Sequence, residues 1–195
     1  VSTNQIYGVD GNDDNSVIII AAGGGKIGKS TDGGETWTGK TSGTTNTLYS
    51  VVYKDGTFII AGNSGKILKS TDDGDTWTSV TSGITDNIYE MKIIDGKFVG
   101  IAGAPEMKII YSSDGDTWSN TELADSGGSC KDLTYDGNKY YFACSQGTFY
   151  SVTDLDGSDF TVHDISTENG GATSLNSLTR SSVAIAFNSF NVSNE

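Results

Sequence analysis

Residues 30–37 read Ser-Thr-Asp-Gly-Gly-Glu-Thr-Trp, and residues 70–77 repeat them as Ser-Thr-Asp-Asp-Gly-Asp-Thr-Trp. A third copy, Tyr-Ser-Ser-Asp-Gly-Asp-Thr-Trp, occupies residues 111–118, and a degenerate fourth copy runs over residues 150–160. The aromatic residues that close the copies lie at positions 37, 77, 118 and 160, which are 40, 41 and 42 residues apart. A constant period of this length indicates a fold assembled from one repeated supersecondary unit.

Each repeat predicts four short antiparallel strands. In the second repeat they are expected over residues 48–53, 58–61, 66–70 and 76–80. An Asp-Gly pair follows the first strand at 55–56, and again at 95–96 and 136–137, where it favours a type I′ hairpin turn. Four antiparallel strands with a period of about 40 residues predict a β-propeller blade. Sustained helical periodicity is missing from the sequence, so no substantial helix is expected.

The pattern Ser-x-Asp-x-Gly-x-Thr-Trp resembles the Asp-box, or BNR repeat, of sialidase-like β-propellers. With its flanking strands the resemblance covers nearly all of the chain, although the third copy is one residue shorter. It implies that the box joins the third and fourth strands at the blade edge, away from the usual ligand-binding face. The following box residues are therefore expected to be structural: Ser30, Asp32, Gly34, Thr36, Trp37, Ser70, Asp72, Gly74, Thr76, Trp77, Ser112, Asp114, Gly115, Thr117 and Trp118.

The fold class expected from the repeats is all-β, a five-bladed β-propeller of four-stranded antiparallel blades in a single domain over residues 1–195. Its blades are expected at about 6–47, 48–87, 88–129, 130–174, and 175–195 completed by residues 1–5. The N-terminal strand would pair an edge that is otherwise open. Closure within one molecule is favoured, but the same strand donated to a neighbour would join subunits head to tail into a fibre.

The charge of the chain excludes some partners. Acidic residues number 25 and basic residues 12, giving a net charge of −13 and a pI near 4.2. Nucleic acid and anionic membrane surfaces would be repelled. The longest apolar run, Val17–Ala22, is too short to cross a bilayer. Sialidases of this fold bind the substrate carboxylate with three arginines, and this chain has one, Arg180, so the resemblance does not extend to their catalysis.

Two carboxylates are candidates for glycoside hydrolysis. Glu90 and Asp132 occupy the third position of the innermost strand in adjacent repeats, where Gly8 and Ser50 stand in the first two. Paired carboxylates near a propeller funnel can act as acid and base. The alternatives are ion pairing with a neighbouring lysine or simple solvation.

Metal ions and cofactors are not expected. The oxygen-rich segments 10–15 and 154–159 lack the full spacing of a calcium-binding loop, so solvated turns are the simpler interpretation. His163 is the single histidine and is expected to have a surface or turn role. Neither a zinc ligand set nor a Ser-His-Asp triad can be assembled.

Two covalent modifications follow from the sequence as hypotheses. Cys130 and Cys144 would face each other if Tyr135 and Lys139 flank a three-residue turn, so a disulfide is favoured over two buried free thiols. A disulfide suits an extracellular compartment. Asn191 begins the single N-glycosylation sequon, Asn-Val-Ser.

These observations predict a non-catalytic extracellular or surface-displayed module, such as a repeating unit of a fibre, appendage or phage-tail-like assembly. The acidic surface rich in Gly, Ser and Thr, the single arginine and termini that look excised all favour it. Its expected partners are other copies, neighbouring domains of the same assembly, or glycans. The alternatives are a lectin-like propeller that binds glycans between blades, and a glycosidase that uses Glu90 and Asp132.

Overall fold

The computed structural model describes residues 5–103, 106–123, 130–144 and 148–164. Within these ranges the chain forms four antiparallel sheets of four strands each, in sequence order. The first two sheets contain β1 (Ile6–Gly11), β2 (Ile18–Ala22), β3 (Ile27–Ser30), β4 (Thr38–Lys40), then β5 (Leu48–Lys54), β6 (Thr57–Gly62), β7 (Ile67–Ser70), β8 (Thr78–Val80). The other two contain β9 (Ile88–Ile94), β10 (Lys97–Ala102), β11 (Met107–Ser112), β12 (Ser119–Leu123), then β13 (Cys130–Tyr135), β14 (Tyr140–Cys144), β15 (Thr148–Val152), β16 (Thr161–Asp164).

The predicted all-β class and the four-stranded repeat are confirmed. Strands β5 to β8 begin and end within two residues of the bounds expected from the sequence. In the described ranges, the helical content consists of the two short 3-10 turns Gly23–Gly25 and Asn63–Gly65. The arrangement is consistent with β-propeller blades. The expected fifth blade, including Arg180 and Asn191, lies outside the described residues, as do residues 1–4.

Two of the three Asp-Gly turns have the predicted conformation. Asp55 and Gly56 have φ angles of 47° and 80°, and Asp95 and Gly96 have 50° and 67°. The third prediction, at residues 136–137, is wrong, because only the glycine of that pair has a positive φ. Here the side chain of Asp136 accepts hydrogen bonds from the next amides of a longer loop.

The chain divides into two compact units, one formed by Val1–Gly103 with Ile110–Asn120, the other by Ala104–Ile109 with Thr121–Glu195. In the first unit, apolar side chains of successive sheets share their cores. Leu48 and Phe58 are buried against Ile19, and Phe98 is buried against Ile59. In the second unit, Phe142 and Tyr150 are buried within the sheet β13–β16.

Candidate functional site

The first two Asp-boxes are held by the same hydrogen bonds. The Asp32 carboxylate accepts the Thr36 amide at 2.9 Å and the Ser30 hydroxyl at 2.7 Å. The Ser30 oxygen in turn accepts the Gly34 amide at 2.9 Å. Asp72 makes the equivalent bonds in the second box. Each aspartate therefore pairs amides that the tight turn leaves without a backbone partner.

The tryptophan of each box is tied to the same turn. The Trp77 indole donates to the Gly74 carbonyl at 3.1 Å, and Trp37 and Trp118 make the corresponding bonds at 2.9 Å and 3.2 Å. Gly74 has a φ of +77°, a region that favours glycine. The ring therefore covers a turn whose backbone requires a glycine.

These contacts change the acidity of the box aspartates. Hydrogen bonds from Thr36 and Ser30 lower the pKa of Asp32 to about 2, and those from Thr76 and Ser70 do the same for Asp72. In the third box, amide donors at Thr117 and Asp116 lower the pKa of Asp114 to about 2. Each donor stabilises the charged form. The boxes therefore contain carboxylates held ionised by their own turn.

The degenerate fourth copy keeps part of this chemistry with different residues. Asp159 accepts the Thr153 amide at 2.7 Å. Hydrogen bonding from the Thr153 side chain, and to a smaller extent from this amide, lowers the pKa of Asp159. Phe160 stacks on Tyr150 with ring centroids 5.1 Å apart. Phenylalanine thus takes the position of tryptophan in this copy.

The structure also reveals contacts between repeats that the sequence did not predict. Asp75, in the second box, pairs with Lys29 of β3 at 2.9 Å and with Lys40 of β4 at 2.7 Å. In the same way Lys69 of β7 pairs with Asp116 of the third box at 2.7 Å. The signal was present as a lysine one residue before the serine of the first two boxes and an acid two residues before each tryptophan. The box therefore contacts the preceding sheet as well as its own blade.

The structure places the two candidate catalytic carboxylates in separate units. Glu90 is half-buried in β9, and Asp132 is buried in β13, where it accepts the Leu133 amide at 2.8 Å. At the equivalent position of the second sheet, the Ser50 hydroxyl accepts the Met91 amide of the next innermost strand at 3.1 Å. In that sheet, the third position of the innermost strand contacts its neighbouring strand.

Carboxylates of the first oxygen-rich segment accept hydrogen bonds from main-chain amides. Asp10 accepts the Tyr53 amide of β5 at 2.8 Å, and Asp14 accepts the Ser16 amide of its own loop at 2.9 Å. His163 lies in β16, stacks on Phe149 with centroids 4.3 Å apart and bonds Ser151. Burial lowers the His163 pKa and favours its neutral form. Over the ranges given above, no three His, Cys, Asp or Glu side chains cluster as metal ligands.

A disulfide joins Cys130 and Cys144 in the second unit. The expected turn is wrong, because Tyr135 pairs with Tyr140 rather than with Lys139. If that register continued unchanged along the hairpin, Cys130 would lie one residue out of register with Cys144. A bulge between Cys130 and Asp132 shifts the pairing by one residue and places the two cysteines opposite each other.

A bulge occurs at the equivalent position of three other innermost strands, and in each of them the extra residue is a tyrosine. The register shifts between Ile6 and Gly8, Leu48 and Ser50, and Ile88 and Glu90. The extra residues are Tyr7, Tyr49 and Tyr89, which we call the tyrosine row. Their ring centroids are 5.2 Å apart for the first pair and 5.6 Å for the second.

The tyrosine row lies at the surface of the first unit. Tyr7 is 45% exposed, and Tyr49 and Tyr89 are half-buried, whereas Leu48 and Ile88, one residue earlier, are fully buried. Burial and the two neighbouring rings raise the pKa of Tyr49, so it stays protonated at neutral pH. The row is an accessible aromatic surface with hydroxyl groups. The period of the tyrosines was visible in the sequence, but the bulges that redirect them were not.

None of the described helical segments is long and apolar enough to cross a membrane.

A family model described as photosynthesis system II assembly factor YCF48 matches residues 3–171. The chain belongs to this family. Its name also carries the BNR label, so the resemblance to BNR-repeat β-propellers is confirmed. No curated protein sequence matches the chain with significance.

Solved structures that match this YCF48-family chain with a TM-score above 0.5 share its fold. YCF48 from Cyanidioschyzon merolae has 19% identity and a TM-score of 0.65, over 84% of this chain and 57% of that one. A catalytically inactive virginiamycin B lyase from Staphylococcus aureus, with quinupristin, has 18% identity and a TM-score of 0.68, over 86% and 58%. A structure described as YCF48 bound to D1 peptide has 14% identity and a TM-score of 0.46, over 88% and 70%. The chain thus spans a little under three-fifths of the first two relatives.

The family corrects the functional hypothesis. The extracellular structural or fibre module, with its lectin-like and glycosidase alternatives, is wrong, because the family is that of a photosystem II assembly factor. For the same reason the predicted partners, other copies and glycans, are wrong, as are the extracellular or surface-displayed location and the terms fibre, carbohydrate binding and glycoprotein. An acidic surface rich in Gly, Ser and Thr suits many soluble β-sheet proteins. Composition therefore did not distinguish these classes.

Proposed function

We propose that this chain acts in photosystem II assembly by holding a segment of another polypeptide. The observation that carries the proposal is the family match over residues 3–171. Because the chain spans 57% of the YCF48 structure from Cyanidioschyzon merolae, the activity of that whole protein is proposed here rather than assigned.

The tyrosine row is the surface proposed to hold the segment. Tyrosine offers a large, rigid contact area with few rotatable bonds, and its hydroxyl can bond a peptide group. Tyr7, Tyr49 and Tyr89 supply three such side chains side by side on successive innermost strands. We propose that the Asp-box residues stabilise the blades that carry this surface, that the disulfide stabilises the second unit, and that neither takes part in chemistry.

The proposal includes the expected five blades. The fifth would comprise residues 175–195 and be completed by residues 1–5, as the repeat period suggests. A non-catalytic role accords with the single arginine, since the arginine triad of a sialidase would require three.

Restoration of photosystem II tests the assembly role. The full chain would be expressed in Cyanidioschyzon merolae cells that lack their own YCF48, and photosystem II accumulation would be measured against cells that regain native YCF48. We expect accumulation to recover with this chain. A matched chain carrying alanine at all three row positions should be equally abundant but restore less. Stable, abundant chain with no recovery would contradict the proposed function.

A further inference from the structure

The three bulges indicate that the side chains of the tyrosine row are directed toward a ligand rather than into the core. In a β-bulge, two residues oppose one partner, and the extra residue is left out of the ladder with its side chain redirected. In the first unit this residue is tyrosine in each innermost strand. A residue needed only for packing would be served by the regular alternation that buries Leu48 and Ile88.

Asparagine side chains organise the surface around the rings. Asn87 donates to the Tyr89 hydroxyl at 3.5 Å, and its carbonyl oxygen accepts the Ser64 amide at 3.0 Å. Asn46 donates to the Asn63 carbonyl at 3.0 Å. Connections between repeats are thus fixed beside the row, so little order has to be gained when a ligand binds.

The net charge of the chain favours a basic ligand over an acidic one. The net charge is −13, and the chain contains a single arginine, so it is poorly equipped to attract an acidic segment. The faces of tyrosine rings attract lysine and arginine side chains through their quadrupole. Glu90, the residue after Tyr89, adds a carboxylate to the same strand. Charge and aromatic surface favour the same class of side chain.

We propose that the tyrosine row binds a basic polypeptide segment, with lysine or arginine side chains lying against the rings of Tyr7, Tyr49 and Tyr89. The proposal rests on the proposed function, since it specifies the chemistry of the polypeptide that the chain holds. The protonated Tyr49 hydroxyl can donate to a main-chain carbonyl of that segment. The tyrosine row would therefore recognise both the positive side chains and the peptide backbone of the bound segment.

Three synthetic peptides of equal length test the charge requirement on the full chain by fluorescence anisotropy. One contains spaced lysines, the second the same lysines acetylated, and the third glutamates at those positions. We expect the lysine peptide to bind most tightly and its affinity to fall with added salt. Acetylation keeps the aliphatic part of the lysine side chain and removes its charge. Equal binding of the acetylated peptide would overturn the proposal.

Variants locate the binding site. Tyr7→Ala and Tyr49→Ala should each weaken lysine-peptide binding about 3- to 10-fold, the size of a cation–π contact. Tyr49→Phe keeps the ring and should retain most of the ring-dependent affinity. Tyr53→Phe, on the same strand but outside the row, is the matched control. Tyr7 is already 45% exposed, so its replacement leaves folding intact and keeps the test decisive if Tyr49→Ala unfolds.

The result can be separated from that of the restoration experiment. Lysine-peptide binding that is unchanged in Tyr7→Ala overturns the basic-segment proposal, even if the chain restores photosystem II. Binding that depends on the row supports it, even if restoration fails and the proposed function is abandoned.

Discussion

At the scale of the residue, an aspartate in each Asp-box stabilises its turn as a carboxylate. Asp32 and Asp72 accept the amide and hydroxyl of a threonine four residues later, and Asp114 reaches two amides of a shorter turn. The sequence predicts a structural role for these residues, and the hydrogen-bond partners of each aspartate lie within a few positions of it in the sequence. Lys29 and Asp75, 46 residues apart, could be paired only once the sheets were placed.

This chemistry predicts acid sensitivity. The pKa of Asp72 is about 2 in the folded chain against an ordinary value of 3.8, so the folded state binds fewer protons between these values. The stabilisation is fully present above pH about 4 and is lost as pH falls toward about 2. Urea unfolding across this range should show a smaller pH dependence for Asp72→Asn than for wild type. The matched control Asp73→Asn, at the next position, should retain the wild-type slope, and equal slopes for all three would contradict this account.

At the scale of the element, the period predicted the strands but not their registers. In the second repeat, the observed strand bounds agree with the predicted ones, because Asp-Gly turns and apolar runs are local signals. The bulges before Gly8, Ser50, Glu90 and Asp132 depend on pairing across strands, which a single strand sequence does not encode. For that reason the sequence predicted neither the tyrosine row nor the bulge that places Cys130 opposite Cys144.

The packing of a box on the preceding sheet gives a second prediction. A Cβ at Gly74 would collide with the Ile19 side chain of the first sheet, whereas at Gly34 its nearest neighbour is its own box tryptophan, Trp37, at 3.7 Å. Both glycines have positive φ, so each alanine substitution should cost about 1 kcal/mol from the backbone. Gly74→Ala should cost about 1–3 kcal/mol more through overpacking. Chemical denaturation that finds equal losses would show that the box does not support the neighbouring sheet.

At the scale of the whole molecule, sequence patterns determined the architecture but not the function. The repeat identified BNR-type blades, whereas the family match over residues 3–171 overturned the predicted fibre module. The failure has a physical basis, since the same scaffold supports unrelated functions through the residues displayed on it. Charge remained informative at this scale, because −13 constrains any partner whatever its identity.

The most direct test of the central claim is the binding of the spaced-lysine peptide to the full chain, measured by isothermal titration calorimetry. We predict saturable binding that weakens about 10-fold or more when Tyr7, Tyr49 and Tyr89 are all replaced by alanine, while Tyr53→Phe binds as wild type. Circular dichroism would establish that each protein is folded. A folded wild-type chain that does not bind the lysine peptide, or a triple variant that binds it equally well, would contradict the account.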